Sequence, residues 1–160
     1  MIGYMGSGKT SVGRVLSRYL RWRLVDLDRE VSLAARRSIP EIFEDSGEDA
    51  FREMEHQALR RAVGGHRKRV IACGGGVITH HPNLETLQKA TTIFLEENIG
   101  LLYSRTRKKD RPLRAASRAE FERRYEIRLP LYREAADRTV VVNGRRPEKV
   151  ARELEQWIRA

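Results

Sequence analysis

Residues Gly3 to Thr10 read G-Y-M-G-S-G-K-T, a run of glycines closed by a lysine and a hydroxyl. Glycines at this spacing let backbone N–H groups turn inward around an anion, and a helix starting directly after them adds the positive end of its dipole. A lysine beside the last glycine reaches the terminal phosphates of a nucleoside triphosphate, and the threonine hydroxyl can ligate Mg²⁺. The match to G-x-x-x-x-G-K-[ST] is complete. It predicts nucleotide contacts from Gly6, Ser7, Gly8, Lys9, Thr10 and Ser11, and says nothing about what receives the phosphate.

Other residues bear on that acceptor. Asp26 and Asp28 close the strand-like run R-L-V-D-L-D (23–28). Side chains two apart on a strand project to one side, and the C-terminal ends of strands are where open α/β sheets bind ligands. One carboxylate could hold Mg²⁺ through a water while the other accepts a hydroxyl proton; taken alone, such a pair also reads as a helix cap and a solvated charge. Arg52 and Glu55 lie three apart in F-R-E-M-E. A guanidinium meets a carboxylate as a planar fork, and the same spacing also suits a structural ion pair. Gly74, Gly75 and Gly76 follow the apolar run R-V-I-A-C, where three glycines allow unusual backbone conformations and close approach of a ligand. Cys73 reads as a small buried apolar residue.

These residues must be positioned by an alternation of strands and helices. Strand-like runs fall at 23–28, 69–73, 91–96 and 139–143, with Met1–Ile2 as the remnant of a fifth. Val12, Val15, Leu16 and Tyr19 form a helical stripe after the glycine loop. Phe51, Met54, Ala58 and Leu59 form another, and Val150, Leu154, Trp157 and Ile158 a third behind Pro147, a favoured first-turn residue. Ser38 with Glu41, and Ser117 with Glu120, have the spacing of capping boxes. Alternation of this kind predicts a parallel sheet covered on both faces: a three-layer α/β/α P-loop NTPase fold with a five-stranded parallel sheet. We read residues 1–160 as one domain.

The formal net charge of +10, from 32 basic and 22 acidic residues, calls for an anionic partner. No RNA-recognition signature with interleaved aromatics is present, so the expected partners are small anions rather than nucleic acid. No apolar run approaches the ~20 residues of a membrane span. A single cysteine fits a reducing compartment, and a cytoplasmic protein is expected. The run S-R-T-R-K-K-D-R-P-L-R carries six positive charges and one negative in eleven residues. It has the composition of a mobile basic lid over about 104–117, whose closure would exclude water.

Taken in order, the glycine loop, D-L-D, G-E-D-A-F-R-E-M-E, the triple glycine, R-P-L and R-L-P-L-Y resemble the shikimate kinase family from Gly3 to about Pro147. The resemblance implies a small P-loop kinase that moves the γ-phosphate of ATP to the 3-hydroxyl of shikimate, in the route to aromatic amino acids. It implies Lys9, Asp28 and Arg111 as catalytic residues. Asp28 is then the base that also binds shikimate hydroxyls, and Arg111 the lid arginine. Thr10, and Asp26 through water, would hold Mg²⁺. Arg52 and Arg128 would clamp the shikimate carboxylate, with Glu55 orienting Arg52 and Gly74, Gly75 and Gly76 contacting the hydroxyls. Arg105 would stack near adenine, and Arg145 and Pro147 in N-G-R-R-P would flank it. A monomer acting on ATP and shikimate is expected, with another P-loop kinase of gluconate-like acceptors, or a catalytically silent relative, as the alternatives.

The sequence departs from the family pattern in three places. Only Met1 and Ile2 precede Gly3, where the family carries a central strand; we expect either a start upstream or unpaired neighbouring strands with a channel in the core. The lid is one residue shorter between Arg105 and Arg111. Arg114 stands where a second apolar residue is usual.

Overall fold

Short apolar runs and the turns that bound them account for the sheet. In the computed structural model, which describes residues 1–106 and 117–160, β1 (Arg23–Asp26) pairs in parallel with β2 (Arg69–Ala72), Val25 lying opposite Ile71. A second parallel pair joins β3 (Ile93–Glu96) to β4 (Arg138–Val141), with Leu95 opposite Val140. Met1 and Ile2 lie between the two pairs. The Met1 amino group donates to the Ile71 carbonyl at 2.7 Å, and Cys73 N–H donates to the Met1 carbonyl at 3.1 Å. On the other side Ile2 N–H donates to the Ile93 carbonyl at 2.8 Å, and Leu95 N–H to the Ile2 carbonyl at 3.0 Å. The order across the sheet is therefore β1, β2, Met1–Ile2, β3, β4, the five-stranded parallel arrangement with a two-residue centre.

The neighbouring strands expected to be unpaired are thus bridged at one end. A pocket of about 600 Å³ lies beside Met1, walled by residues that include Trp22, Leu59, Val70, Ile93 and Trp157.

Alternation of side chains sorts the apolar residues of the sheet onto two faces. Met1, Val70, Ile93, Leu95 and Val140 pack with α1 (Lys9–Leu20) and α7 (Pro147–Arg159), which also pack on each other. Ile2, Val25 and Phe94 join the core formed with α2 (Leu27–Ala35), α3 (Ile39–Val63) and α6 (Arg118–Glu134). Two helical layers around one sheet are the three-layer fold read from the sequence. Among the described residues no helix is long and apolar enough to cross a membrane.

Helix ends follow local chemistry. Ser38 and Glu41 form the reciprocal box, with Ser38 N–H donating to the Glu41 carboxylate at 2.6 Å. Ser117 accepts from Glu120 N–H at 3.1 Å, and Pro147 opens α7. Two short helices complete the set, α4 (His81–Leu87) and α5 (Ile99–Thr106). Gly47, at φ +79°, breaks α3 just ahead of the segment that carries Phe51 to Val63.

The structure corrects one reading. β1 stops at Asp26 rather than running to 28, because Asp26 caps α2, accepting from Arg29 N–H at 3.4 Å. Asp28 stands in the first turn of that helix, so strand alternation is not what sets its direction.

Cys73 is buried, and burial pushes its thiol pKa above the ordinary value. The thiolate is the reactive form. Iodoacetamide at pH 8 is expected to label folded protein roughly tenfold or more slowly than urea-unfolded protein; equal rates would contradict a buried, protonated thiol.

Candidate active site

The phosphate loop hangs directly from the centre of the sheet. Gly8 takes φ +89° at the N-terminal cap of α1, a conformation that suits glycine and lets the helix begin at Lys9. The Lys9 ammonium folds back over its own loop, donating to the carbonyls of Gly3 and Tyr4, each at 2.8 Å, and to the Ser7 hydroxyl at 3.3 Å. Thr10 donates its hydroxyl to the Asp26 carboxylate at 2.8 Å. A cleft of about 620 Å³ opens over this loop, and its walls bring together Gly6 to Ser11, Asp26, Asp28, Gly74, Gly75, Arg105, Arg145 and Pro147.

Behind the glycine turn lies a second, drier constellation. Arg52 is 6% exposed and Glu55 fully buried. The guanidinium donates to Glu55 at 2.8 Å and, through a second nitrogen, to Glu48 at 3.0 Å. Burial acts to lower the Arg52 pKa, but Glu55 and then Glu48 outweigh it and the net direction is up. Burial pushes the Glu55 carboxyl up, with Arg52 opposing it. One Glu55 oxygen, Oε1, is buried with no hydrogen bond among the described residues.

The triple glycine is needed for space rather than for backbone conformation, since none of the three has a left-handed φ. A Cβ on Gly74 would fall 2.3 Å from Glu55 Oε1 and 3.1 Å from Asp28 Oδ1. One on Gly76 would fall 2.2 Å from the Arg52 guanidinium. The turn thus brings Asp28, Glu55 and Arg52 against one short piece of backbone. From the other side the buried Tyr132 donates its hydroxyl to the Gly75 carbonyl, and burial holds that phenol protonated. Arg128 sits over the Tyr4 ring, 5.8 Å from its centroid, and lies against the Tyr132 hydroxyl.

At the far end of the cleft, Arg105 closes α5 and donates to the Gly6 carbonyl at 3.2 Å and to Glu97 at 2.9 Å. Arg145 pairs with Glu153 at 2.6 Å, beside Pro147. Arg111 and residues 107–116 of the expected lid lie outside the described residues.

Sequence reasoning missed several of these groups. Glu48 had a signal, four residues before Arg52 on a helix. Tyr132 stood within the quoted R-L-P-L-Y, but its bond to Gly75 crosses 57 residues. Glu97 had none, because Gly144 N–H reaches it across 47 residues and Arg105 only once α5 is in place.

A glycine-cradled lysine, a threonine–aspartate pair at the edge of the sheet and a carboxylate beside a buried arginine define a P-loop kinase of small anionic acceptors. Comparison with known proteins narrows the class. The family model described as shikimate kinase matches residues 5–159. A shikimate kinase of Nitrosospira multiformis is 39% identical over 99% of this chain and 83% of its own length. One from Ruegeria pomeroyi is 40% identical over 90% of this chain and 75% of its own. Among solved structures, a shikimate kinase from Acinetobacter baumannii in complex with shikimate superposes with a TM-score of 0.92 at 37% identity, covering 98% of this chain and 89% of that one. The Aquifex aeolicus shikimate kinase gives 0.86 at 34%, covering 99% and 94%. The chain belongs to the shikimate kinase family.

Tyr132→Phe keeps the ring that stacks on Phe94 but removes the donor to Gly75. Removing the donor from this partly buried carbonyl is expected to lower stability by about 0.5–1.5 kcal/mol in urea unfolding, whereas an unchanged midpoint would mean water replaces the hydroxyl freely.

Proposed function

We infer that this chain transfers the γ-phosphoryl group of ATP to the 3-hydroxyl of shikimate, giving shikimate 3-phosphate and ADP. The observation that carries this reading is the adjacency, across the single residue Gly74, of the cleft carboxylate Asp28 and the buried Arg52–Glu55 pair. A phosphate loop alone fits many reactions. A dry guanidinium one glycine away from it selects an acceptor that carries both a hydroxyl and a carboxylate.

In this reading the acceptor carboxylate sits between Arg52 and Arg128, and its hydroxyls face Asp28 and the 74–76 turn. Asp28 accepts the hydroxyl proton as the oxygen attacks the γ-phosphorus and the bond to the ADP oxygen breaks. Lys9 shifts from the loop carbonyls toward the phosphate oxygens, and Arg111 of the lid adds charge from the other side. The hard oxygen donors of Thr10 and Asp26, 2.8 Å apart, fit Mg²⁺, which is commonly bound through one or two protein oxygens plus substrate phosphates. When bound there, the ion neutralises charge on the phosphates. Arg105, Arg145 and Pro147 flank the adenine. We further propose one kinase domain over 1–160 with its lid at about 104–117, acting as a cytoplasmic monomer on ATP and shikimate, with neither nucleic acid nor membrane as a partner.

The test is ADP release with Mg-ATP and either shikimate or gluconate. Stimulation by shikimate alone, cut by about 10²-fold or more in Asp28→Asn, is the expected result. No stimulation by shikimate, or an equal response to gluconate, would sink the assignment. Gly76→Ala, which must displace Arg52, is expected to raise the KM for shikimate about tenfold, roughly 1.4 kcal/mol, while leaving the KM for ATP nearly unchanged.

A further inference from the structure

Glu97 is a buried carboxylate that the phosphoryl-transfer scheme does not use. It follows β3, its side chain is fully shielded, and it collects donors from three directions. Arg105, at the end of α5, donates to its Oε2 at 2.9 Å. Gly144 N–H, in the turn before α7, lies 3.3 Å and 3.2 Å from its two oxygens. Asn98 N–H donates to Oε1 at 2.9 Å. The same Arg105 nitrogen also reaches the Gly6 carbonyl at 3.2 Å. Through one side chain, the phosphate loop, the end of α5 and the turn at 143–144 become mechanically continuous.

Burying a carboxylate is costly unless it is paired and hydrogen-bonded. Glu97 meets that condition only while Arg105 and the Gly144 turn stay where they are, so the carboxylate fixes both. Arg105 and Gly144 line the same cleft as the glycine loop, at the end where Arg145 and Pro147 also stand. A guanidinium plane stacks well on a flat ring, and does so at lower entropic cost when its torsions are set beforehand.

We propose that Glu97 is a positioning residue for the nucleotide base: it presets Arg105 and the 143–144 turn as two walls of one slot, so that the base is bound without reordering them. The proposal rests on the kinase reading and deepens it at the nucleotide end. It separates two parts of one ligand. The phosphates are gripped by the loop, which Glu97 reaches only indirectly through the Arg105 contact at the Gly6 carbonyl, and the base by walls that Glu97 holds directly.

Calorimetric titration with ADP and with inorganic pyrophosphate, which lacks the base, reads this separation directly. Wild-type protein is expected to bind both. Glu97→Gln, which keeps the shape and removes the charge opposite Arg105, is expected to weaken ADP about five- to tenfold and leave pyrophosphate within about twofold. Glu97→Asp is expected to recover part of the ADP loss. Arg105→Lys reads the same link from its half-exposed end should the glutamine variant not fold, because lysine keeps the charge but loses the flat guanidinium that Glu97 holds. It is expected to weaken ADP and spare pyrophosphate in the same way. Equal weakening of both ligands, or an unchanged ADP affinity in the variants, would overturn the role given to Glu97. Failure of the wild type to bind either ligand would instead remove the nucleotide reading beneath it, and the proposal with it.

Discussion

Four backbone hydrogen bonds made by two residues hold the halves of the sheet together. Met1 takes β2 and Ile2 takes β3, and three functional segments leave from one end of that junction. The glycine loop continues directly from Ile2. The 74–76 turn leaves β2 one residue after Cys73, which bonds to Met1. Glu97 leaves β3 two residues after Leu95, which bonds to Ile2. Parallel strands deliver their C-terminal ends to one edge, and here the pairing at the centre sets how closely three of those ends approach.

Charge is arranged on that edge by a repeated device. Arg52 is held by Glu55 and Glu48, Arg105 by Glu97, and Arg145 by Glu153. Each of these three arginines is oriented by a carboxylate on its protein side. A long side chain left free would lose about 1.5–2 kcal/mol of rotamer entropy on being fixed by a ligand. Held at folding, it presents its remaining N–H groups already aimed. The excess of basic residues in the composition therefore does not act as a diffuse field alone.

Much of this was legible in the sequence, for identifiable reasons. The phosphate loop, the Ser38 box and the proline that opens α7 depend on neighbours in the chain, and spacing reports them faithfully. Asp26 and Asp28 both line the cleft, and of the two readings the pair allowed, the helix cap is the one Asp26 takes. A cap ends the strand between them, and alternation could not reveal a cap. The triple glycine was read as backbone freedom and room for a ligand, whereas at Gly74 and Gly76 the space is taken by Glu55 and Arg52. Glu97 shows the boundary of such reading. Its partners Arg105 and Gly144 share no local pattern with it, and only the fold brings them within hydrogen-bond reach.

The packing of α1 on α7 carries a consequence for what the cleft can measure. The first of these helices begins at the phosphate loop and the second at the turn beside Pro147. Val12, Val15 and Leu16 meet Val150, Ala151 and Leu154 in the same apolar core, on the face of the sheet behind the cleft. The distance between the glycine loop and the turn beside Pro147 is thus gauged by contacts between aliphatic side chains. In that sense the hydrophobic layer on this face is a ruler, and its graduations are methyl groups.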